Sequence, residues 1–244
     1  NFAEQRPRES SGASSSNRFD YQKNWAFCEL IDLQMKGEDY LIVFEHHEDI
    51  VVLNSEFAPT SAKFYQVKSK QNGNWTVNAL AKNKTDDELS SIIGKLYGNQ
   101  QLFPENTEEL VFSSNQGVSN KLECGKKGLE YDLISFKQLT TKDKRKVWEA
   151  VKGDNNYFCD LEGLNKLFLV KSPLRLADHE QLTKGKLVDF YNSQYPDRPA
   201  HIALAYQTIF DEIRRKTNFK EVPKSSDELR KRKSISRTEF SHMT

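Results

Sequence analysis

The sequence predicts an α/β fold in which a mixed sheet is flanked by helices and the C-terminal half is more helical. Short apolar runs of strand length alternate with longer segments of helical periodicity. In the first half the order is helix, three strands, helix and strand, which suits a meander followed by a parallel strand reached through a right-handed crossover. The second half contains longer helical segments around a single further strand.

The first predicted helix covers residues 18–36. Tyr21, Trp25 and Cys28 recur at helical spacing, and further apolar residues widen the surface. A helix that is apolar over so much of its circumference is expected to pack on a sheet, and Gly37 is a suitable stop. The later predicted helices cover 86–102, 141–151, 179–191 and 200–215.

The predicted strands are short and differ in pattern. Residues 40–44 are continuously apolar, as expected for a strand that is covered on both faces. Residues 50–53 are β-branched or apolar and end at the turn residues Asn54 and Ser55. The complete set of predicted strands covers 40–44, 50–53, 63–68, 110–112 and 167–170.

Three regions of the chain differ in composition. Residues 1–17 include a serine-rich stretch with little to bury, which predicts a disordered arm. Residues 18–217 form the predicted folded domain. Residues 218–244 are expected to be a basic linker, because 214–237 contain ten Lys or Arg against three acids. Since the first residue is not Met, we expect the chain to be part of a longer protein with a further C-terminal region.

Composition excludes several classes of protein. The 244 residues are enough to bury a core without covalent staples, and the net charge of +1 provides no overall field for nucleic acid. The three cysteines are far apart and lack CxxC spacing, which argues against a disulfide framework or a zinc site. Neither a membrane-spanning apolar run nor a signal peptide is visible, so we expect a cytoplasmic protein without a membrane partner.

The candidate active site lies around the second and third strands. Gln66 and Lys68 project from the same face of one predicted strand, because side chains alternate along a strand. Burying a Gln and a Lys side by side near the centre of a sheet is costly unless they have partners. Asp49, at the mouth of the preceding strand, is a natural partner for both side chains.

This combination suits the hydrolysis of phosphodiesters. A carboxylate can hold a hard divalent cation, which polarises the phosphate and lowers the pKa of an attacking water. A nearby Lys then orients that water or stabilises the charge on phosphorus. An acid followed after a hairpin by an x-Lys pair is the skeleton of the PD-(D/E)xK nucleases, whose fold is restriction-endonuclease-like.

The motif departs from that skeleton at one position, where Gln66 replaces the second acid. A Gln oxygen can still bind Mg²⁺ but contributes no charge, so Glu45 or Glu48 is expected to supply it. We therefore predict Asp49, Gln66 and Glu45 as metal ligands for Mg²⁺, with Mn²⁺ as a substitute, and the same three with Lys68 as catalytic residues.

Three motifs together resemble a known family. Phe19-x-Tyr21-Gln22, the stretch 44–50 and 65–68 are similar to the nuclease domain of bacterial anti-phage effectors. One branch is the CD-NTase-associated double-strand DNA endonuclease, whose C-terminal domain senses a cyclic nucleotide. Another branch operates beside a HerA-type ATPase.

The resemblance implies Mg²⁺-dependent cleavage of double-stranded DNA with little sequence specificity, restrained until a sensor domain or partner ATPase triggers it. Because duplex cleavage needs two cuts, a homo-oligomer is expected.

Other interpretations remain open from sequence alone. The polar cluster could be structural, in which case the chain is a catalytically silent assembly module that docks an ATPase or a sensor domain. An RNA-directed nuclease is also compatible, since a metal site reads phosphate. Gln22 and Glu29 share one helix stripe and could face the metal or the surface. His46 and His47 are expected to point to opposite faces, which argues against their binding one ion.

Overall fold

The structure is a computed structural model that describes residues 11–82, 91–154, 161–197 and 199–244. Within these ranges, a seven-stranded sheet has the order β5-β6-β4-β3-β2-β1-β7. The strands are β1 Leu41–Phe44, β2 Ile50–Leu53, β3 Ala62–Lys68, β4 Thr107–Ser114, β5 Leu133–Ser135, β6 Leu167–Lys171 and β7 Ser234–Ser236. The helices are α1 Ser11–Lys36, α2 Val77–Ala81, α3 Ile92–Leu102, α4 Thr141–Asp154, α5 Leu161–Leu164, α6 His179–Gln194, α7 Ile202–Thr217, α8 Ser226–Lys233 and α9 Arg237–Met243.

The strand pairing confirms the predicted mixed sheet. Strands β1, β2 and β3 form an antiparallel meander, and β4 pairs in parallel with β3. Strand β6 extends the parallel part beyond β4. The two outer strands, β5 and β7, each pair antiparallel with their neighbours, so a parallel centre is enclosed by antiparallel edges.

Helices cover both faces of the sheet and form two hydrophobic cores. On one face α1, α6, α7 and α9 enclose a core that includes Tyr65 and Val67. On the other face α2, α3 and α4 enclose a core that includes Phe64. Consecutive residues of β3 therefore serve opposite layers, as side-chain alternation predicts. This burial on both faces explains the continuous apolar run of β1.

Several elements have no counterpart in the sequence prediction, among them α2 and β5. Helix α2 has five residues and β5 has three, which is too short for periodicity to show. In α2 the hydroxyl of the N-cap Thr76 accepts a hydrogen bond from the Ala79 amide, which helps to start so short a helix. The predicted helix 86–102 is observed as Ile92–Leu102, and residues 83–90 lie outside the described residues.

The predicted N-terminal arm is wrong for residues 11–17, which form the first turns of α1. The Asn17 amide nitrogen donates to the Leu176 carbonyl at 3.2 Å, and Asn17 Oδ1 lies 2.9 Å from His179 Nε2. These contacts tie the start of α1 to α6 and to the segment before it, so polar bonds replace the missing apolar burial. The remaining residues of the expected arm, 1–10, lie outside the described part of the chain.

The basic linker predicted at 218–244 is also wrong. Residues 226–243 form α8, β7 and α9, and β7 pairs with β1 at the edge of the sheet. Ile235 and Phe240 are fully buried. Four consecutive basic residues, 230–233, belong to α8, while the sparse apolar residues after them enter the core. The folded unit therefore continues past the predicted boundary at residue 217.

Two further expectations concern cysteines and membranes. Cys28 and Cys124 are both free thiols, and Cys159 lies outside the described residues. In the ranges that the structure describes, no helix has the length and apolar character needed to cross a membrane.

We predict that Phe240→Ala lowers the free energy of unfolding by about 3–5 kcal/mol, the usual cost of a large cavity in a core. Phe240 is fully buried and its ring lies 6.0 Å from that of Phe190 and 6.4 Å from that of Phe27. Urea unfolding followed by circular dichroism measures the change. The control is Val222→Ala, because Val222 is 75% exposed. If Phe240→Ala changed the free energy of unfolding as little as Val222→Ala, residues 218–244 would be a linker.

Candidate active site

The topology brings Asp49 and Lys68 together. Asp49 immediately precedes β2, Lys68 is the last residue of β3, and the two strands pair antiparallel with Ile50 opposite Tyr65. The start of β2 therefore lies beside the end of β3. Lys68 Nζ is 3.2 Å from Asp49 Oδ2 and 3.5 Å from Oδ1. The Asp49 side chain is 13% exposed and that of Lys68 is 31% exposed, so this ion pair is partly shielded from solvent.

The carboxylate of Asp49 also joins two other groups. The Val67 amide donates to Asp49 Oδ2 at 2.8 Å, which uses a main-chain donor at the end of β3. Gln22, on α1, donates from Nε2 to the same oxygen at 3.1 Å and to the Val67 carbonyl at 2.6 Å. Three elements, α1, β2 and β3, thus meet at one carboxylate.

Glu45 lies on the loop between β1 and β2, at the rim of a cavity of about 490 Å³ that Gln22 and Asp49 also line. Its main chain has a φ of 46°, a left-handed conformation that is uncommon for Glu, and its amide donates to the Asp49 carbonyl at 3.1 Å. Desolvation and the nearby Asp49 carboxylate raise the pKa of Glu45, whereas Lys68 and Lys233 oppose that rise. The loop therefore places a second carboxyl group near Asp49.

Glu48 is engaged elsewhere. Its side chain is buried, and Oε1 accepts a hydrogen bond from Asn99 of α3 at 3.0 Å. Desolvation, with the neighbouring Asp49 charge, raises the pKa of Glu48 to about 7. Of the two acids that sequence left open as the second ligand, Glu45 lines the cavity with Asp49, whereas Glu48 bonds to α3.

Gln66 is buried on β3, directly before Val67 and two residues before Lys68. By alternation it lies on the Phe64 side of the strand, which α3 covers. Among the described residues, no hydrogen bond joins its side chain to Asp49 or Glu45. The structure therefore brings Asp49, Lys68 and Glu45 close together but shows no contact that places Gln66 with them.

The expectation that His46 and His47 point to opposite faces is wrong. Their rings are in edge contact, with centroids 4.6 Å apart, and the His47 ring lies 5.1 Å from that of Phe103. The reason is that 45–49 forms a series of bends and is not extended. Among the described residues, no group of three or more His, Cys, Asp or Glu side chains could hold a metal ion.

The atoms around Asp49 nevertheless fit a hard cation. Among the described residues, Asp49 Oδ2 accepts from three donors, whereas the one contact of Oδ1 is Lys68 Nζ at 3.5 Å, so Oδ1 keeps acceptor capacity for a cation. Carboxylate, carbonyl and carboxamide oxygens are the ligands that Mg²⁺ accepts in proteins. Because so few charged side chains gather here, such an ion would keep several of its waters, which is usual for Mg²⁺.

Two residues of this region were not among the predicted site residues. Gln22 belongs to the motif Phe19-x-Tyr21-Gln22 and shares a helix stripe with Glu29, but neither pattern indicates a contact with Asp49, which is 27 residues away in sequence. Lys233 lies in the basic run taken for a linker, and its Nζ donates to the Glu45 carbonyl at 2.6 Å. The sequence does contain one indication that this segment is folded: the large apolar residues Ile235 and Phe240 follow Lys233, and a solvated linker would not bury them.

Comparison with known proteins places this geometry in a family. A family model described as "Cap4, dsDNA endonuclease domain" matches residues 10–217. Among solved structures, the Acinetobacter baumannii Cap4 SAVED/CARF-domain containing receptor with the cyclic trinucleotide 2′3′3′-cAAA is similar, with a TM-score of 0.52 and 13% identity. The match covers 92% of this chain and 43% of that one, so this chain spans less than half of that protein's length. No curated protein matches the chain.

At 13% identity the solved structure is evidence for the fold alone. The similarity is consistent with the restriction-endonuclease-like fold expected from the sequence. The family model includes α1, the sheet from β1 to β6 and the Asp49–Lys68 pair. The chain belongs to the Cap4 dsDNA endonuclease domain family.

Proposed function

We propose that this chain is a metal-dependent endonuclease that cleaves duplex DNA with little sequence specificity, as an effector of bacterial anti-phage defence. The observation that carries the proposal is the Asp49–Lys68 pair at the mouth of two adjacent strands, 3.2 Å apart and tied to α1 through Gln22. The family match supports the substrate class. Low specificity is expected because a site built around phosphate does not read base edges.

The proposed reaction is hydrolysis of a phosphodiester. Water adds to phosphorus, the bond from phosphorus to the leaving oxygen breaks, and that oxygen takes up a proton. A divalent cation, Mg²⁺ with Mn²⁺ as a substitute, would polarise the phosphate and acidify the water. Asp49 and Glu45 would hold the ion, with Gln66 as the further ligand that the sequence motif suggests.

Lys68 has the remaining role. Its ammonium group lies beside Asp49, and the Lys68 side chain is 31% exposed, so the group is accessible to a phosphate that approaches Asp49. A cation in that position stabilises the negative charge that grows on the phosphoryl oxygens in the transition state. Gln22 and the Val67 amide hold the Asp49 carboxylate in one orientation, so that less reorganisation is needed when substrate arrives.

The partners of the chain follow from the same family. The similar solved protein contains a SAVED/CARF domain and binds a cyclic trinucleotide. We infer that a cyclic-nucleotide sensor domain, or alternatively a HerA-type ATPase, controls this nuclease. A homo-oligomer is expected because a double-strand break requires two active sites or two successive cuts.

We predict that the purified chain, once released from its control, converts supercoiled plasmid to nicked and linear forms when Mg²⁺ is present and not when it is chelated. Lys68→Ala should reduce the rate by at least about 100-fold, because a group that stabilises the transition state is removed. Calorimetric titration with Mn²⁺ should show that Lys68→Ala still binds the ion, whereas Asp49→Asn does not. Normal metal binding by Asp49→Asn would remove Asp49 from the ligand set.

A matched pair of substitutions tests the second carboxylate. Glu45→Gln should weaken Mn²⁺ binding by about tenfold, or about 1.4 kcal/mol, because one negative charge near the ion is lost. Glu48→Gln should leave the affinity unchanged, since Glu48 bonds to Asn99 of α3. The two variants alter the same chemical group within one loop, so each is the control for the other. The reverse result would assign the ligand to Glu48.

Gln66→Glu tests whether position 66 touches the metal. The substitution restores the acid of the PD-(D/E)xK skeleton, and the added charge should lower the Mg²⁺ concentration that gives half-maximal cleavage. The competing outcome is an ion pair between the new carboxylate and Lys68, which draws the ammonium group away from the phosphate and slows cleavage. Cleavage rate against Mg²⁺ concentration separates these results. An unchanged midpoint at normal rate would exclude Gln66 as a ligand.

A further inference from the structure

The C-terminal segment 226–243 lies beyond the end of the family match at residue 217, yet it is built into the fold beside the candidate active site. Strand β7 pairs with β1, with Ile235 opposite Ile42 and Ser234 opposite Val43. The end of β1 leads directly into the loop that carries Glu45 and Asp49. The residue that precedes β7 is therefore brought next to that loop.

That residue is Lys233, and its side chain is buried although it carries a charge. Lys233 is 5% exposed, and its Nζ donates to the Glu45 carbonyl at 2.6 Å and to the Phe44 carbonyl at 3.5 Å. A buried ammonium group is costly unless it is paired or hydrogen-bonded, and here two main-chain carbonyls accept its hydrogen bonds. Lys233 also lines the 490 Å³ cavity that Gln22, Glu45 and Asp49 line.

The contact is made to the loop residue with the least common main-chain conformation. Glu45 has a φ of 46°, which non-glycine residues adopt only where surrounding contacts hold them. Two main-chain bonds fix this residue: its carbonyl accepts from Lys233, and its amide donates to the Asp49 carbonyl at 3.1 Å. Glu45 therefore links the Lys233 ammonium group to the main chain of Asp49 through these two hydrogen bonds.

We propose that Lys233 is a positioning residue of the nuclease site: it holds the Glu45 carbonyl, and so keeps the 44–49 loop in the conformation that presents Asp49 to Lys68 and Gln22. This inference rests on the proposed function. It assigns a role in the active site to a segment that the family model does not include.

The test compares Lys233→Met, which keeps the stem and removes the charged donor, with Lys231→Met on the exposed part of the same helix. Urea unfolding first establishes that both variants are folded. Three measurements follow on the full chain: hydrogen exchange of the peptide that covers 44–49, the affinity for Mn²⁺, and kcat and KM for cleavage of linear duplex DNA.

For Lys233→Met we expect faster exchange in 44–49, weaker Mn²⁺ binding and a fall in kcat of about 10- to 100-fold, as displaced catalytic groups produce. KM for DNA should be unchanged, because Lys233 acts on the protein loop. Lys231→Met should match the wild type in all three. If Lys233→Met does not fold, Lys233→Gln, with a shorter uncharged head group, is measured against the same criteria.

Two results would overturn the proposal. One is a folded Lys233 variant whose exchange, Mn²⁺ affinity and kcat equal those of Lys231→Met. The other is a raised KM with an unchanged kcat, which would make Lys233 a DNA contact. If the wild type does not cleave DNA, the proposed function fails, while hydrogen exchange and Mn²⁺ affinity still decide the role of Lys233.

Discussion

The carboxylate of Asp49 is the interaction on which the site depends. It accepts hydrogen bonds from the Val67 amide and from Gln22, and it pairs with Lys68. These donors come from the end of β3 and from α1, so the carboxylate joins the helix to the sheet at this point.

The position of this carboxylate follows from the way the sheet is buried. Helices cover both faces, so β1, β2 and most of β3 must be apolar, and polar groups gather where strands end. Asp49 enters β2 as Lys68 leaves β3, and antiparallel pairing makes these two ends neighbours. The acid and the Lys, 19 residues apart in sequence, are therefore adjacent because the hairpin register requires it.

The elements with a strong pattern were predictable, and so was the central pair of the site. Strand β2 was predicted with its observed bounds, and the closeness of Asp49 and Lys68 followed from side-chain alternation and a hairpin. Contacts that join distant parts of the chain were not predictable. Gln22 meets Asp49 only because α1 packs across β3, and no local pattern reports that packing.

The tail was misread for a related physical reason. A run of Lys and Arg is usually solvated, and composition averages over the few positions that decide the fold. Here the charges lie mainly on α8, while Ile235 completes the sheet edge and Phe240 fills the core. The basic side chain of Lys233 can itself be buried because two main-chain carbonyls receive it.

The arrangement around Asp49 leaves room for an ion without dismantling the network. A carboxylate offers about four acceptor positions on its two oxygens. Within the described chain, the donors to Oδ2 are Val67, Gln22 and Lys68, whereas the one contact of Oδ1 is the longer approach of Lys68 at 3.5 Å. Oδ1 therefore keeps acceptor capacity for a cation.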